Sequence, residues 1–171
     1  RITDAAGAAR AWSEIGAAPA ILEGHVEFDR ELSLVAARGS GGETVFYPLT
    51  ENVHRDGILR ESRAPAAVDG AGAASLAQTA RRYAQSLLDE LDFVGVLALE
   101  LFQQGPRLLA NEFAPRVHNS GHWTIDAAPA SQFENHIRAV AGLPLGAAEP
   151  AAECVMLNLI GGAPPAEQVL A

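Results

Sequence analysis

The sequence predicts an α+β fold, an antiparallel sheet with flanking helices, and three observations carry that prediction. Leu76, Ala80, Tyr83, Ala84, Leu87, Leu88 and Leu91 recur at steps of three and four, the spacing of one face of a helix. Val94 to Phe102 and Leu108 to Phe113 flank Gly105-Pro106, two apolar runs around a tight turn, as in a hairpin. Between Ala20 and Leu49, three β-rich runs are joined by turns too short for a crossover, which leaves antiparallel pairing.

In chain order, Thr3 or Asp4 caps an Ala-rich stretch carrying Ala8, Trp12 and Ile15 and ending at Gly16, the pattern of a short helix. The β-rich runs follow at Ala20 to Val26, Glu31 to Ala37 and Thr44 to Leu49. Asn52 to Ala67 is dense in charge and turn residues and reads as loop, with a short strand near Ile58 to Glu61. After the long helix and the hairpin, Pro115 to Pro129 reads as a polar loop. Ser131 and Glu134 then form a capping box, with Phe133, Ile137, Val140 and Ala141 on one face and Gly142 and Pro144 as terminators. Val155 to Ile160 reads as a buried strand and Gly161 to Pro165 as the start of a linker.

Composition narrows the function. The chain has 171 residues, 21 acidic against 12 basic, and a formal charge of -9, which argues against nucleic acid as a partner because phosphate-backbone binding needs a basic surface. All the basic residues are arginine, so Walker-A phosphate binding, Schiff-base chemistry and biotinylation are excluded within these residues. Cys154 is the only cysteine and can neither close an internal disulfide nor build a zinc site, which points to a reducing, cytoplasmic setting. No apolar run approaches the roughly 18 residues of a membrane span, so no membrane partner is expected. Arg1-Ile2-Thr3-Asp4 is neither a signal peptide nor an initiator-Met start, and the beginning reads as cut.

The chemistry concentrates in the hairpin and the loop after it. With pairing centred on Pro106, Glu100 falls opposite Glu112 on the same face, where two carboxylates repel unless a hard divalent cation sits between them. Magnesium with a nucleotide suits that position. An exposed hairpin whose acids face water, or a shifted register, fits the same pattern. The run Val94, Val96, Leu97, Leu99, Leu101 is apolar on both faces, so a carboxylate within it calls for a reason. In the loop, Arg116 is a bidentate anion donor, with His118 and Asn119 as polar neighbours; for His122 plain solvation is the simpler reading.

Several strings carry a resemblance: Ala20-Ile21-Leu22-Glu23-Gly24, Glu31-Leu32-Ser33-Leu34-Val35, Val45-Phe46-Tyr47-Pro48-Leu49, Asn52-Val53-His54 and Asp56-Gly57-Ile58-Leu59. The strongest is Asn111-Glu112-Phe113-Ala114-Pro115-Arg116-Val117-His118-Asn119-Ser120-Gly121-His122. From about Ile21 to Gly161 the chain resembles the 5-(carboxyamino)imidazole ribonucleotide synthases, ATP-grasp enzymes of purine biosynthesis. The wider superfamily usually has Asn two residues after its second glutamate, where this chain has Ala114.

The resemblance implies an ATP-grasp lobe over residues 1–144 and the start of a small C-terminal domain over 145–171, an internal piece of a longer ligase that is inactive by itself. It implies ATP-dependent carboxylation of 5-aminoimidazole ribonucleotide with bicarbonate, through carboxyphosphate, with ATP and magnesium as cofactors and a homodimer as the full-length assembly. Glu23, Gly24, His25 and Val26 would hold adenine, Glu31 the ribose hydroxyls, His54 the nucleotide, and Asn111 the phosphates beside Glu112. Glu100 and Glu112 would hold magnesium, and Arg116, His118 and Asn119 would surround bicarbonate and the imidazole. Another ATP-grasp carboxylase or ligase, and a non-catalytic truncated remnant, are the competing readings.

Overall fold

Two strands carry most of the apolar sequence, and the architecture follows from covering both of their faces. The computed structural model describes residues 2–16, 18–67 and 72–161, with 165 and 167 beyond them. Strands β1 (Arg30–Arg38) and β5 (Gly95–Gln104) pair antiparallel along their length, from Arg30 opposite Gln103 to Arg38 opposite Gly95. Around them β6 (Arg107–Ala114), β3 (Thr50–Arg55), β4 (Ile58–Ala64) and β7 (Cys154–Leu157) complete a sheet in the order β6-β5-β1-β3-β4-β7. β2 (Thr44–Phe46) pairs with the far end of β1, and every ladder is antiparallel. The expected α+β class holds.

Alternation along β1 and β5 divides their side chains between two layers. On one face Leu32, Leu34 and Ala36 meet Leu97, Leu99 and Leu101 under helix α2 (Gly72–Glu90), whose Leu76, Ala80, Ala84 and Leu88 form a buried four-step stripe. Tyr83 and Leu91 fall outside that stripe, because small alanines at the contact bring the helix close along a narrow line. On the other face Val35, Ala37, Val96 and Ala98 are covered by Tyr47, Trp123 and Ala148. Pro115 to Pro129, expected as loop, contains a 3-10 turn at Asn119–Gly121 and helix α3 (Thr124–Ala127), and the expected helix follows as α4 (Gln132–Val140).

Helix α1 (Ala5–Glu14) forms where the cap predicts it, with Asp4 Oδ1 accepting from the Gly7 amide at 2.6 Å, yet none of its residues is buried. The expected strand at Ala20 to Val26 is absent. That segment has no regular secondary structure and is exposed apart from a half-buried Val26, with Ile21 and Leu22 at 82% and 84%, because no described strand lies alongside to complete a ladder.

The short strand expected near Ile58 to Glu61 is present within β4, but the rest of Asn52 to Ala64 is its hairpin partner and turn rather than loop. β3 and β4 meet around Asp56-Gly57, whose φ values of 54° and 71° are those of a two-residue turn matched to strand twist. Their charged residues alternate with buried ones, since only one face of this pair is covered.

Helix α4 is capped by Ser131 as expected, but it buries the opposite face. Gln132, Asn135 and Ala139 are inside, while Phe133, Ile137 and Val140 stand in solvent. The reason is hydrogen-bond demand. Asn135 donates to Tyr47 Oη and Gly146 O and accepts from Gly146 N, partners that no apolar side chain supplies. The expected buried strand at Val155 to Ile160 is the shorter β7, an edge strand with Val155 and Leu157 about half exposed. It pairs with β4 and so extends the same sheet. Most of the proposed linker from Gly161 to Pro165 lies outside the described residues. No described helix is long and apolar enough to cross a membrane.

This packing predicts an inverted order of mutational cost on α4. Asn135→Ala strands the Gly146 amide and carbonyl and should cost about 2–4 kcal/mol, on the scale of one to two unsatisfied buried groups. Ile137→Ala should fall within about 0.5 kcal/mol, as at an exposed position. Urea denaturation of both variants checks this, and a larger loss for Ile137→Ala contradicts the observed face.

Candidate active site

A two-residue turn closes the β5–β6 hairpin, with Gln104 opposite Arg107 and regular pairing out to Leu101 opposite Ala110. Beyond it the register moves by one, so that Leu99 faces Phe113 and Ala98 faces Ala114. Glu100 therefore stands against both Asn111 and Glu112, a β-bulge on β6. Direct opposition of Glu100 and Glu112 from a centre at Pro106 is corrected to this extent: the Pro106-centred register holds only past the bulge. The extra residue lets Asn111 and Glu112 line the same cavity as Glu100, so both glutamates share one face.

That cavity, of about 410 Å³, is lined by Glu31, His54, Glu100, Asn111, Glu112, His118 and Asn119, with Gly57 and Leu59 at its wall. It lies where the second face of β1 and β5 turns from apolar to polar: Ala37 and Val96, then Val35 and Ala98, then Ser33 opposite Glu100. A buried polar chain runs beneath, Ser62 Oγ donating to Asn52 Oδ1 at 2.7 Å and Asn52 Nδ2 to Ser33 Oγ at 2.9 Å. His54 Nδ1 donates to Glu31 Oε2 at 2.8 Å and orients that carboxylate. A second bulge, between Val53 and His54, sets the register of that histidine.

His118 Nε2 sits 3.5 Å from Glu100 Oε1, an electrostatic contact too long for a good hydrogen bond. Burial pushes the Glu100 carboxyl above its ordinary value, and the charges of Glu112 and Glu31 and a hydrogen bond with Glu112 push it further, against His54. Burial pushes His118 below its ordinary value, as does the charge of Arg116, against the pull of Glu112. The folded chain thus favours the neutral form of His118. Asn119 Oδ1 is buried with no hydrogen-bond partner among the described residues.

Seven of the anticipated residues meet in this cavity. Arg116 stands beside it, exposed, with its Nη1 donating to Val117 O at 3.0 Å, and acts on His118 through its charge. Glu23, Gly24, His25 and Val26 are in the irregular segment before β1 and do not line the cavity. His122 packs on Phe133, at 5.5 Å between ring centroids, and is not a cavity residue. Gly57, part of the Asp56-Gly57-Ile58-Leu59 string, is not among the expected site residues because its surroundings read as loop, although Asp-Gly between two runs is a hairpin signal. Ser33, Asn52 and Ser62 gave no signal, since isolated polar residues pair only through tertiary structure.

A strongly paired antiparallel sheet with two carboxylates and an Asn at one bulge is an arrangement that can hold a divalent cation beside a phosphate group. The ATP-grasp domain model matches residues 1–133, and the chain belongs to that family. Within it, the chain is 57% identical over 155 residues to the N5-carboxyaminoimidazole ribonucleotide synthase of Brucella melitensis, a match covering 90% of this chain and 42% of that protein. The structure of N5-carboxyaminoimidazole ribonucleotide synthetase from Thermus thermophilus superposes with a TM-score of 0.89 at 54% identity, covering 98% of this chain and 46% of the other. The N5-carboxyaminoimidazole synthase of Aspergillus clavatus, in complex with ADP and 5-aminoimidazole ribonucleotide, superposes at 0.74 with 32% identity, covering 85% and 38%. The chain therefore spans less than half the length of these relatives.

The raised Glu100 carboxyl has a sign that can be measured. Because the folded chain favours its protonated form, stability falls as pH rises from the ordinary 4.5 through the raised value. His118 acts oppositely, and its contribution is lost as pH falls below the ordinary 6.5. Glu100→Gln should therefore stabilise the cation-free protein at pH 7 by a few tenths to about 1 kcal/mol, the scale of cross-strand charge pairs. Urea denaturation with a chelator present reads this, and a less stable variant contradicts the account.

Proposed function

We propose that the chain is the nucleotide and acceptor lobe of an enzyme that uses ATP to carboxylate 5-aminoimidazole ribonucleotide with bicarbonate, giving N5-carboxyaminoimidazole ribonucleotide. The observation that carries this reading is the cavity in which Glu100, Asn111 and Glu112 meet His118 and Asn119. Its support from outside the chain is the Aspergillus clavatus relative with ADP and 5-aminoimidazole ribonucleotide bound. The reading includes a homodimeric full-length enzyme in the cytoplasm, with residues 1–144 as the later part of the ATP-grasp domain.

The donor set fits magnesium. Glu100 and Glu112 are hard oxygen ligands, and among the described residues no three His, Cys, Asp or Glu side chains gather into a closed metal cage. Two carboxylates with the remaining positions left to phosphate oxygens and water is how magnesium binds beside a nucleotide. When bound, the ion draws charge from the phosphates of ATP.

In this reading Asn111 hydrogen-bonds the phosphates, and Glu31, held by His54, binds the ribose hydroxyls. The γ-phosphoryl group passes from ATP to a bicarbonate oxygen, leaving ADP and carboxyphosphate. The exocyclic amine of the ribonucleotide then attacks the carbonyl carbon and phosphate leaves. Arg116 holds the anionic carboxyl group, the departing phosphate takes the amine proton, and His118, whose Nδ1 accepts from the Ser120 amide, offers its Nε2–H as a donor to the acceptor's anionic oxygens.

Phosphate release by the intact protein tests the reading. Release should require both bicarbonate and 5-aminoimidazole ribonucleotide, and Glu112→Gln should lower kcat on the order of 10²-fold or more, as for loss of one preorganised electrostatic group. Release that ignores the ribonucleotide sinks the proposal. Glu31→Ala should raise KM for ATP more than KM for the ribonucleotide, and equal effects on both count against its ribose role.

A further inference from the structure

His118 caps the 3-10 turn, where its carbonyl accepts from Gly121 N at 3.0 Å, but its amide has no ladder partner, and one side chain grips both of its main-chain groups. Gln132 Oε1 accepts from the His118 amide at 2.9 Å, while Gln132 Nε2 donates to the His118 carbonyl at 2.6 Å. The amide thus serves both main-chain groups of one residue, as a neighbouring strand would. Gln132 is 0% exposed, and its own backbone is fixed in turn. Gln132 N donates to Thr124 Oγ1 at 3.0 Å, and Thr124 Oγ1 donates to Gly121 O at 2.6 Å.

The far end of the loop shows that this arrangement is built closely. A Cβ on Gly121 would lie 2.7 Å from Gln132 Oε1 and 2.8 Å from its Cδ, so only glycine lets the amide reach His118. With the His118 backbone held, Ser120 engages the ring: His118 Nδ1 lies 2.9 Å from Ser120 Oγ and accepts from Ser120 N at 3.3 Å. Nε2 is left facing Glu100. Gln132 itself does not line the cavity.

We propose that Gln132 is a positioning residue whose amide clamps the His118 main chain and thereby fixes His118 and Asn119 toward the carboxyl acceptor and its imidazole. This rests on the reading above that those two residues face bicarbonate and the ribonucleotide rather than ATP. Loss of the clamp therefore acts on one substrate side only.

The test compares Gln132→Met, which keeps the length and removes both hydrogen bonds, with wild type in the intact protein. Phosphate release is measured against each substrate, alongside the Kd for ADP. The clamp predicts a tenfold to hundredfold loss of kcat/KM for the ribonucleotide with the ADP Kd unchanged within twofold. Unchanged kinetics, or parallel loss of ADP binding and turnover, overturns it. Gln132→Glu keeps the length and the acceptor oxygen and loses the donor, and the same split is required of it if Gln132→Met does not fold. Amide exchange at His118 separates the clamp from the functional reading. If wild type shows no ribonucleotide-dependent release, that reading fails, while faster His118 exchange in either variant supports the clamp and unchanged exchange overturns it.

Discussion

Two carboxylates that must share a half-buried cavity set the terms for this structure. Two unit charges 4 Å apart near a protein surface repel by about 4 kcal/mol, and burial adds a desolvation cost. A chain meets that constraint by keeping one group protonated or by recruiting a cation. The Glu100 carboxyl is pushed upward, in the direction of the first, and the all-oxygen pairing with Glu112 suits the second. The bulge on β6 is the backbone feature on which this depends. It places Asn111 and Glu112 together against Glu100, where regular pairing would offer only one of them.

The sheet supplies the rigidity that such a site needs. One face of β1 and β5 is sealed along its length by α2, so the strands are free to change character along the other. There the apolar layer around Tyr47 and Trp123 ends at Ser33 and Glu100, and the polar chain through Asn52 and Ser62 satisfies the groups beneath the cavity. Tyr47, Asn135 and Gln132 carry the same logic into the loop region, where buried hydrogen bonds take the place of a ladder. The acidic cavity therefore stands on hydrogen-bonded and close-packed supports.

Features encoded locally were legible in the sequence. The four-step stripe of α2, the Asp4 and Ser131 caps and the Gly105-Pro106 hairpin all depend on residues near one another in the chain. The glutamate pair was legible because strand alternation fixes its face, although a one-residue bulge leaves no mark in composition. Other features were hidden because tertiary demand overrode local pattern. Apolar Phe133, Ile137 and Val140 predict the buried face of α4, yet the main chain at Gly146 and His118 requires Asn135 and Gln132 inside. Ile21 and Leu22 read as a strand because they are β-branched or apolar, but a strand needs a neighbour as well as a sequence. Charge density concealed the β3–β4 hairpin, though Asp56-Gly57 marked its turn.

The central claim is that the β6 bulge unites Glu100 and Glu112 around one cation. A crystal structure of the intact protein with ADP and manganese in place of magnesium, located by its anomalous signal, tests it most directly. The account predicts a single strong peak with an oxygen of each glutamate in its first coordination sphere, near the 2.0–2.1 Å expected for magnesium and slightly longer for manganese. A peak bound by only one of the two glutamates, or by neither, would contradict it.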